Sequence, residues 1–286
     1  MLHGSKFIMA SLAIGLGCAL AGQAGAATLQ QIKARGYMRV AVANEMPYGY
    51  MNAKGEAEGA GPEVAAAVLK RMGISEVEWV VTQFGALIPG LKAGRFDMVA
   101  AEMAILPARC KQVLYSEPNT SYGEGLLVPA SNPDGIHGYG DFKTGSRKVA
   151  IMAGADQLDM MQKLGVPEAN LVTINSNADA ISTVVTGRAA AYAATGLTVG
   201  NLAGKSDKVQ AATPFTDPVV DGKPARSWGG FTFGKASQPF RDAFNLQLAA
   251  FKKTPEWKRI LAKYGFSQAD IDGSFRKSTQ ALCSGG

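Results

Sequence analysis

Histidine is nearly missing from this chain of 286 residues, which has only His3 and His137. No Ser–His or Cys–His nucleophilic pair has an evident spacing, and no Cys/His cluster has the spacing of a zinc site. Gly-rich phosphate loops are absent as well, so no cofactor and no metal are expected. Basic residues outnumber acidic ones by 29 to 23, yet they are scattered, without a run of five or an aromatic-interleaved basic stripe. A nucleic-acid partner is therefore not expected. No stretch after residue 26 reaches the 18 apolar residues of a spanning helix. Cysteine is scarce, at three residues.

What is present begins with an unusual first segment. In residues 1–26, Lys6 supplies a positive start, Phe7 to Leu20 is mostly apolar, and Ala24-Gly25-Ala26 offers a small-residue cleavage site. That pattern is a secretory signal peptide cleaved near Ala26, the alternative being an uncleaved anchor. An exported, periplasmic protein is expected. Taking Lys6 from the 29 basic residues leaves 28 against 23 acidic, a net of +5. Cleavage also removes Cys18. Two cysteines left in an oxidising compartment predict a Cys110–Cys283 disulfide, against the alternative of two separate thiols.

The remainder is ordinary in composition, 47% hydrophobic and 18% charged, and long enough for two domains. It is organised around residues 83–110. Phe84, Leu87, Ile88 and Leu91 recur at helical spacing, and Gly94 stands as a helix stop. Asp97 to Ala101 then reads as a buried parallel strand, followed by a loop and Pro107-Ala108-Arg109. Before it, strands at 38–43 and 77–81 flank an amphipathic helix starting at Pro62. A second α/β unit follows, with strands at 148–152, 171–174 and 189–194. Asp156 and Asn177 stand where N-caps are expected. Helices over 239–264 break at Thr254-Pro255. The expected architecture is α/β with parallel-type sheets, helices on both faces, and two crossing segments at Gly125–Val128 and Trp228–Phe233. One lobe comprises residues 27–127 plus 229–286, and the other, residues 128–228, is inserted into it. Ligands of open α/β sheets sit outside the strands' carboxyl ends, and clefts between domains favour pockets.

The segment AGRFDMVAAEMAILPARCKQVLYSEP resembles the first-lobe signature of bacterial solute-binding proteins of the polar-amino-acid family (family 3). VAVANEMPYGY, GAGPEVAAAVLKRMG and QFGALIPGLKAGR are most similar to its ectoine/hydroxyectoine-binding branch. The resemblance covers nearly the whole chain after residue 26. It implies the two-lobed periplasmic binding protein fold, type II.

It also implies a site. Arg109 is expected to clamp a ligand carboxylate, which suits its planar fork. Tyr48 and Phe84 would be aromatic walls, with Glu45 pairing a positive centre. Ala104 stands where relatives carry an aromatic or a hydroxyl, and Glu102 where they usually carry glycine. Across the cleft, Gly154 to Gln157 opens a helix whose N–H groups suit a carboxylate. Asp156 replaces the usual Ser or Thr there, and Thr195 the Asp that pairs an α-ammonium. The implied function is delivery of a small zwitterionic solute to the membrane permease subunits of an ABC importer. The protein is expected to act as a monomer and not as an enzyme, closing on its ligand by a hinge. The alternative is a periplasmic lyase resembling cyclohexadienyl dehydratase, with Glu45 and Glu102 as an acid–base pair.

Overall fold

A computed structural model describes residues 29–285. The expected signal peptide and its cleavage site lie outside those residues. Two mixed sheets carry the chain. In the first, Tyr37–Val42 lies between Glu76–Val81 and Met98–Ala104, all parallel. Ser227–Phe233 then adds antiparallel to Met98–Ala104 and holds Leu114–Tyr115 and Thr120–Tyr122 at its other edge. The second sheet repeats the plan. Val149–Met152 lies between Leu171–Ile174 and Ala191–Thr195 in parallel, and Glu124–Pro129 and Val209–Ala211 follow antiparallel.

Every residue of Met98–Ala104 is buried, as its unbroken apolar run requires for a strand covered on both faces. One face packs on the helix Ala60–Arg71, which buries Val64, Val68 and Leu69. Gln238–Phe251 adds Phe240, Phe244, Leu248 and Phe251 to the same core. Thr254 breaks the helical run as expected: its hydroxyl caps Pro255–Lys263 by accepting from the Trp257 N–H. The helix expected near Phe84 begins as a 3-10 turn, Phe84–Ala86, and continues as Leu87–Lys92, which puts Pro89 in the first turn where its missing N–H is harmless.

The crossings lie elsewhere than the sequence pattern suggests. Gly125–Val128 does not span between sheets. It is the interior of Glu124–Pro129, hydrogen-bonded on both sides within the second sheet. Likewise Trp228–Phe233 is an interior strand of the first sheet. A short apolar run satisfies a buried strand and a crossing segment equally well, so periodicity cannot separate them. The chain leaves the first sheet at Gly123, between Thr120–Tyr122 and Glu124–Pro129. On the return, Ala225 still packs with the second unit's core, while Arg226 donates to Ser121 and pairs with Asp270 in the first.

Cys110, at the end of the short helix Pro107–Cys110, is joined to Cys283 in the last helix, Thr279–Cys283. The link ties the C-terminal segment to the loop beyond the central strand. Among the described residues no helix is long and apolar enough to cross a membrane, and no group of three His, Cys, Asp or Glu side chains is placed to hold a metal.

Candidate functional site

The carboxyl ends of the two sheets face each other, and an apolar cluster runs across from Phe84 and Leu87 to Met152, Tyr192 and Ala194. Within it lies a cavity of about 20 Å³, room for about one water molecule. Of the residues expected at the site, Glu45, Tyr48, Phe84, Glu102, Asp156 and Thr195 line this cavity. Tyr122, Gln157 and Tyr192 complete the polar part of the wall. Arg109, Ala104 and Gly154 stand outside the lining.

Glu45 follows the strand Tyr37–Val42 and is buried, with its Oε1 accepting from Thr198 Oγ1 at 3.0 Å. Burial pushes its carboxyl up to about 7, against the pull of the Thr198 hydrogen bond. The Thr198 bond is the last link of a hydroxyl relay. Tyr48 donates to Thr195 Oγ1 at 2.8 Å, Thr195 donates to Thr198 Oγ1 at 3.1 Å, and Thr198 donates to Glu45. Thr195 also caps the helix Gly196–Ala203 by accepting from the Thr198 N–H. The relay therefore starts and ends on the first unit and passes through two threonines of the second. The Tyr48 ring is held edge-on by Tyr122 and Phe266, with centroids 5.2 and 5.8 Å away.

Glu102 occupies a left-handed backbone position, φ +48°, the region that favours glycine. Its carboxylate accepts from Asn119 Nδ2 and Thr120 Oγ1, both at 2.7 Å, while Tyr122 Oη donates to its carbonyl. Burial raises this carboxyl to about 7 although both donors favour its charge. Asp156 is in the N-cap position of Gln157–Lys163, but its side chain makes no capping hydrogen bond. It accepts instead from Ser227 Oγ of the opposite unit at 2.7 Å. The cap is lost because Asp156 already has helical φ and ψ, which aims its side chain away from the first-turn N–H groups.

The guanidinium of Arg109 lies 5.6 Å from the centre of the Phe84 ring. Its two outer nitrogens donate at 2.8 Å to the carbonyl oxygens of Ala104 and of Gly154, so it bridges the two units from behind the cavity wall. Ala104 thus serves through its main chain, and its carbonyl also accepts from Tyr115 Oη. Gly154 adopts φ +81°, and a Cβ there would lie 2.9 Å from Gly85 Cα, so only glycine permits so close an approach of the two backbones.

One buried carboxyl was not singled out from the sequence. Glu124 Oε2 accepts from Gln157 Nε2 at 2.6 Å and from Tyr139 Oη at 3.1 Å, while Oε1 has no hydrogen-bond partner. Burial, reinforced by the nearby charge of Asp156, lifts it to about 8. A lone carboxylate at the head of the apolar stretch GLLV was the available signal. Ser227 and Tyr192 carry none, and Gln157 is marked only as part of the helix start Gly154 to Gln157.

These features agree with comparisons to known proteins. A model of the bacterial extracellular solute-binding proteins, family 3, matches residues 38–268. The chain is 55% identical to the probable amino-acid ABC transporter periplasmic-binding protein y4tE of Sinorhizobium fredii (strain NBRC 101917 / NGR234), over 96% of this chain and 93% of that one. Among solved structures it is similar to EhuB in complex with hydroxyectoine (TM-score 0.80, 30% identity, 89% of this chain and 96% of that one). It is also similar to the ancestral amino acid-binding protein AncCDT-1, a precursor of cyclohexadienyl dehydratase (TM-score 0.71, 28% identity, 82% and 98%). With both sheets, the facing carboxyl ends and the match over most of its length, this chain belongs to the bacterial extracellular solute-binding proteins, family 3, and has the type II periplasmic binding protein fold.

Proposed function

We propose that this chain captures a small zwitterionic carboxylate in the periplasm and delivers it to the membrane permease subunits of an ABC importer, acting as a monomer after removal of its signal peptide. The observation that carries this reading is the pair Glu45 and Tyr48, which form one wall of an aromatic-lined cavity and are bonded directly to Thr198 and Thr195 of the opposite unit. Side-chain contacts that join the units around the cavity include Tyr48–Thr195, Thr198–Glu45, Arg109–Gly154 and Ser227–Asp156. A solute that touches both walls selects the closed form over the open one, with Gly123 and Arg226 at the hinge.

The positive centre of the solute sits between Tyr48 and Phe84, facing Glu45. Arg109 keeps three N–H groups beyond the two given to carbonyl oxygens, and these receive the ligand carboxylate as the cleft fills. Ectoine and hydroxyectoine satisfy both demands, and the likeness to EhuB makes them the first candidates, ahead of betaine-like solutes and unusual amino acids. Calorimetric titration of this panel, with scattering before and after, tests the reading. Binding should compact the protein and raise its melting temperature; saturation without compaction argues against a hinged binder.

An enzyme on this scaffold is the second reading, favoured by the two carboxyls raised to about 7, Glu45 and Glu102. The hydrogen bonds weaken it. Both oxygens of Glu102 are taken by Asn119 and Thr120, which leaves that carboxylate fixed in place rather than free to pass a proton. Recovery of unaltered solute after long incubation separates the two.

A further inference from the structure

Asp156 is a buried charge without a counter-charge. It is more than nine-tenths buried and lines the cavity, and its side-chain hydrogen bond is to the neutral hydroxyl of Ser227. Among the described residues no lysine or arginine lies within ion-pair distance of it. The same holds for Glu45 on the opposite unit, whose hydrogen-bonding neighbours Thr198 and Asn177 are neutral. Besides burial, the charge of Asp156 raises the carboxyls of Glu45 and Glu124 and the hydroxyls of Tyr48 and Tyr122, so it reaches both units. Burying a carboxylate without a cation is costly, and two of them in one cavity wall point to a cation supplied from outside the chain.

The hydroxyls of that wall have already spent their hydrogens. Tyr48 donates to Thr195, Thr195 to Thr198, Tyr122 to the Glu102 carbonyl, and Tyr192 to Asn177. Gln157 gives an Nε2 hydrogen to Glu124, and no donor among the described residues reaches its Oε1. Asp156 Oδ1 is likewise without a partner, since Ser227 takes Oδ2. What the second unit offers the cavity is therefore acceptors, and their match is a cation that has N–H groups to give.

We infer that the positive centre of the solute is a flat N–H cation, an amidinium or a guanidinium, which bridges Glu45 of one unit and Asp156 of the other, with Gln157 Oε1 as a further acceptor. That class rests on the reading of the cavity as the solute site. A quaternary ammonium carries the charge but no hydrogen, and it would leave the acceptors bare. Shape agrees. With about 20 Å³ between the walls, a planar group between Tyr48 and Phe84 parts the units less than a tetrahedral one does. The turn from Gly154 to Gln157, expected to receive a carboxylate, thus serves the cation instead, and the carboxylate is left to Arg109.

Ectoine, a cyclic amidinium, guanidinoacetate and glycine betaine are all small zwitterionic carboxylates, and among them glycine betaine alone lacks an N–H. In calorimetric titration the better of the first two should bind at least about tenfold more tightly than glycine betaine. Asp156→Asn keeps the shape without the charge, and that ratio should fall at least about fivefold. Ser227→Ala removes the hydroxyl and keeps the carboxylate, so the ratio should stand. Were Asp156 merely a strut to Ser227, the two variants would behave alike. Because each readout is a ratio within one variant, a general loss of folded protein does not imitate it. Glycine betaine binding as tightly as the better of the other two, a ratio unchanged in Asp156→Asn, or an equal fall in both variants overturns the bridging cation and leaves the solute-binding reading standing. If none of the three binds the wild type, the reading of the cavity falls with it.

Discussion

Tyr48 and Thr195 are 147 positions apart in the chain, and their hydroxyls are 2.8 Å apart in the fold. That bond joins the loop after the first strand of one sheet to the last residue of Ala191–Thr195 in the other. From Thr195 the relay continues through Thr198 to Glu45, so closure and the electrostatics of the cavity are one structure.

Removing the relay's first donor should therefore loosen the closed form. Tyr48→Phe keeps the ring packed on Tyr122 and Phe266 but deletes the hydroxyl. One neutral hydrogen bond contributes about 1 kcal/mol, so solute affinity should fall about fivefold. Titration of ectoine or the best-binding solute checks this, and an unchanged affinity means the bond does not report on closure.

Arg109→Met removes both the carboxylate partner and the bridge to Gly154. Charge-assisted bonds contribute about 1.5–3 kcal/mol, so affinity should drop by at least about tenfold. A ligand without a carboxylate that binds the variant as well as the wild type would show the assignment of Arg109 to be wrong.

Gly154→Ala tests the close approach to Gly85. The left-handed backbone alone costs an alanine about 1–2 kcal/mol, and its Cβ at 2.9 Å from Gly85 Cα obstructs closure. The variant should stay expanded in small-angle scattering at solute concentrations that close the wild type. Full compaction of the variant contradicts the contact.

The ligand-free protein should lose stability as pH rises through neutrality. Glu45 and Glu102 are raised from 4.5 to about 7, and Glu124 to about 8. Each folded carboxyl holds its proton where the unfolded one has released it, so the stabilisation is whole below about 4.5 and declines up to about 8. Glu124→Gln should flatten the upper part of this decline in melting curves recorded across that range. Binding of a cationic head has the opposite slope, since it favours ionised Glu45: affinity should rise through about 7, and Glu45→Gln should abolish that rise. A melting temperature that climbs between those limits refutes the sign.

Reduction is the last test. Cys110 and Cys283 are separated by 173 positions, and closing so long a loop contributes up to about 5 kcal/mol in the chain-entropy account. Reductant, or Cys110→Ser with Cys283→Ser, should lower the melting temperature markedly. Two alkylatable thiols in the native exported protein count against the bond.

Most of the fold was legible in the sequence because it is local. The apolar run at 98–104, the spacing of Val64, Val68 and Leu69, and the break at Thr254-Pro255 each state a period or a stop that the backbone obeys within a few residues. The likeness of VAVANEMPYGY and of the stretch around Arg109 to family 3 supplied a list of candidate site residues, most of which meet at one cavity.

What the sequence could not carry was pairing across the fold. Glu124 stands at the head of the segment that reads as a crossing, yet it is a strand residue paired with Thr195 of the second sheet, and its buried carboxyl is pushed up to about 8. Asp156 reads as a helix cap, yet Ser227, 71 positions away, takes its carboxylate. Asn177 likewise reads as a cap and instead faces Tyr192. For Asp156 and Asn177 a local cap competed with a bond to a distant side chain, and the distant bond won because both partners are buried where water cannot serve them. Sequence alone thus determined the strands, the helices and the kind of protein; the tertiary structure decided which charges share a cavity, since that depends on how two sheets meet and not on any run of neighbouring residues.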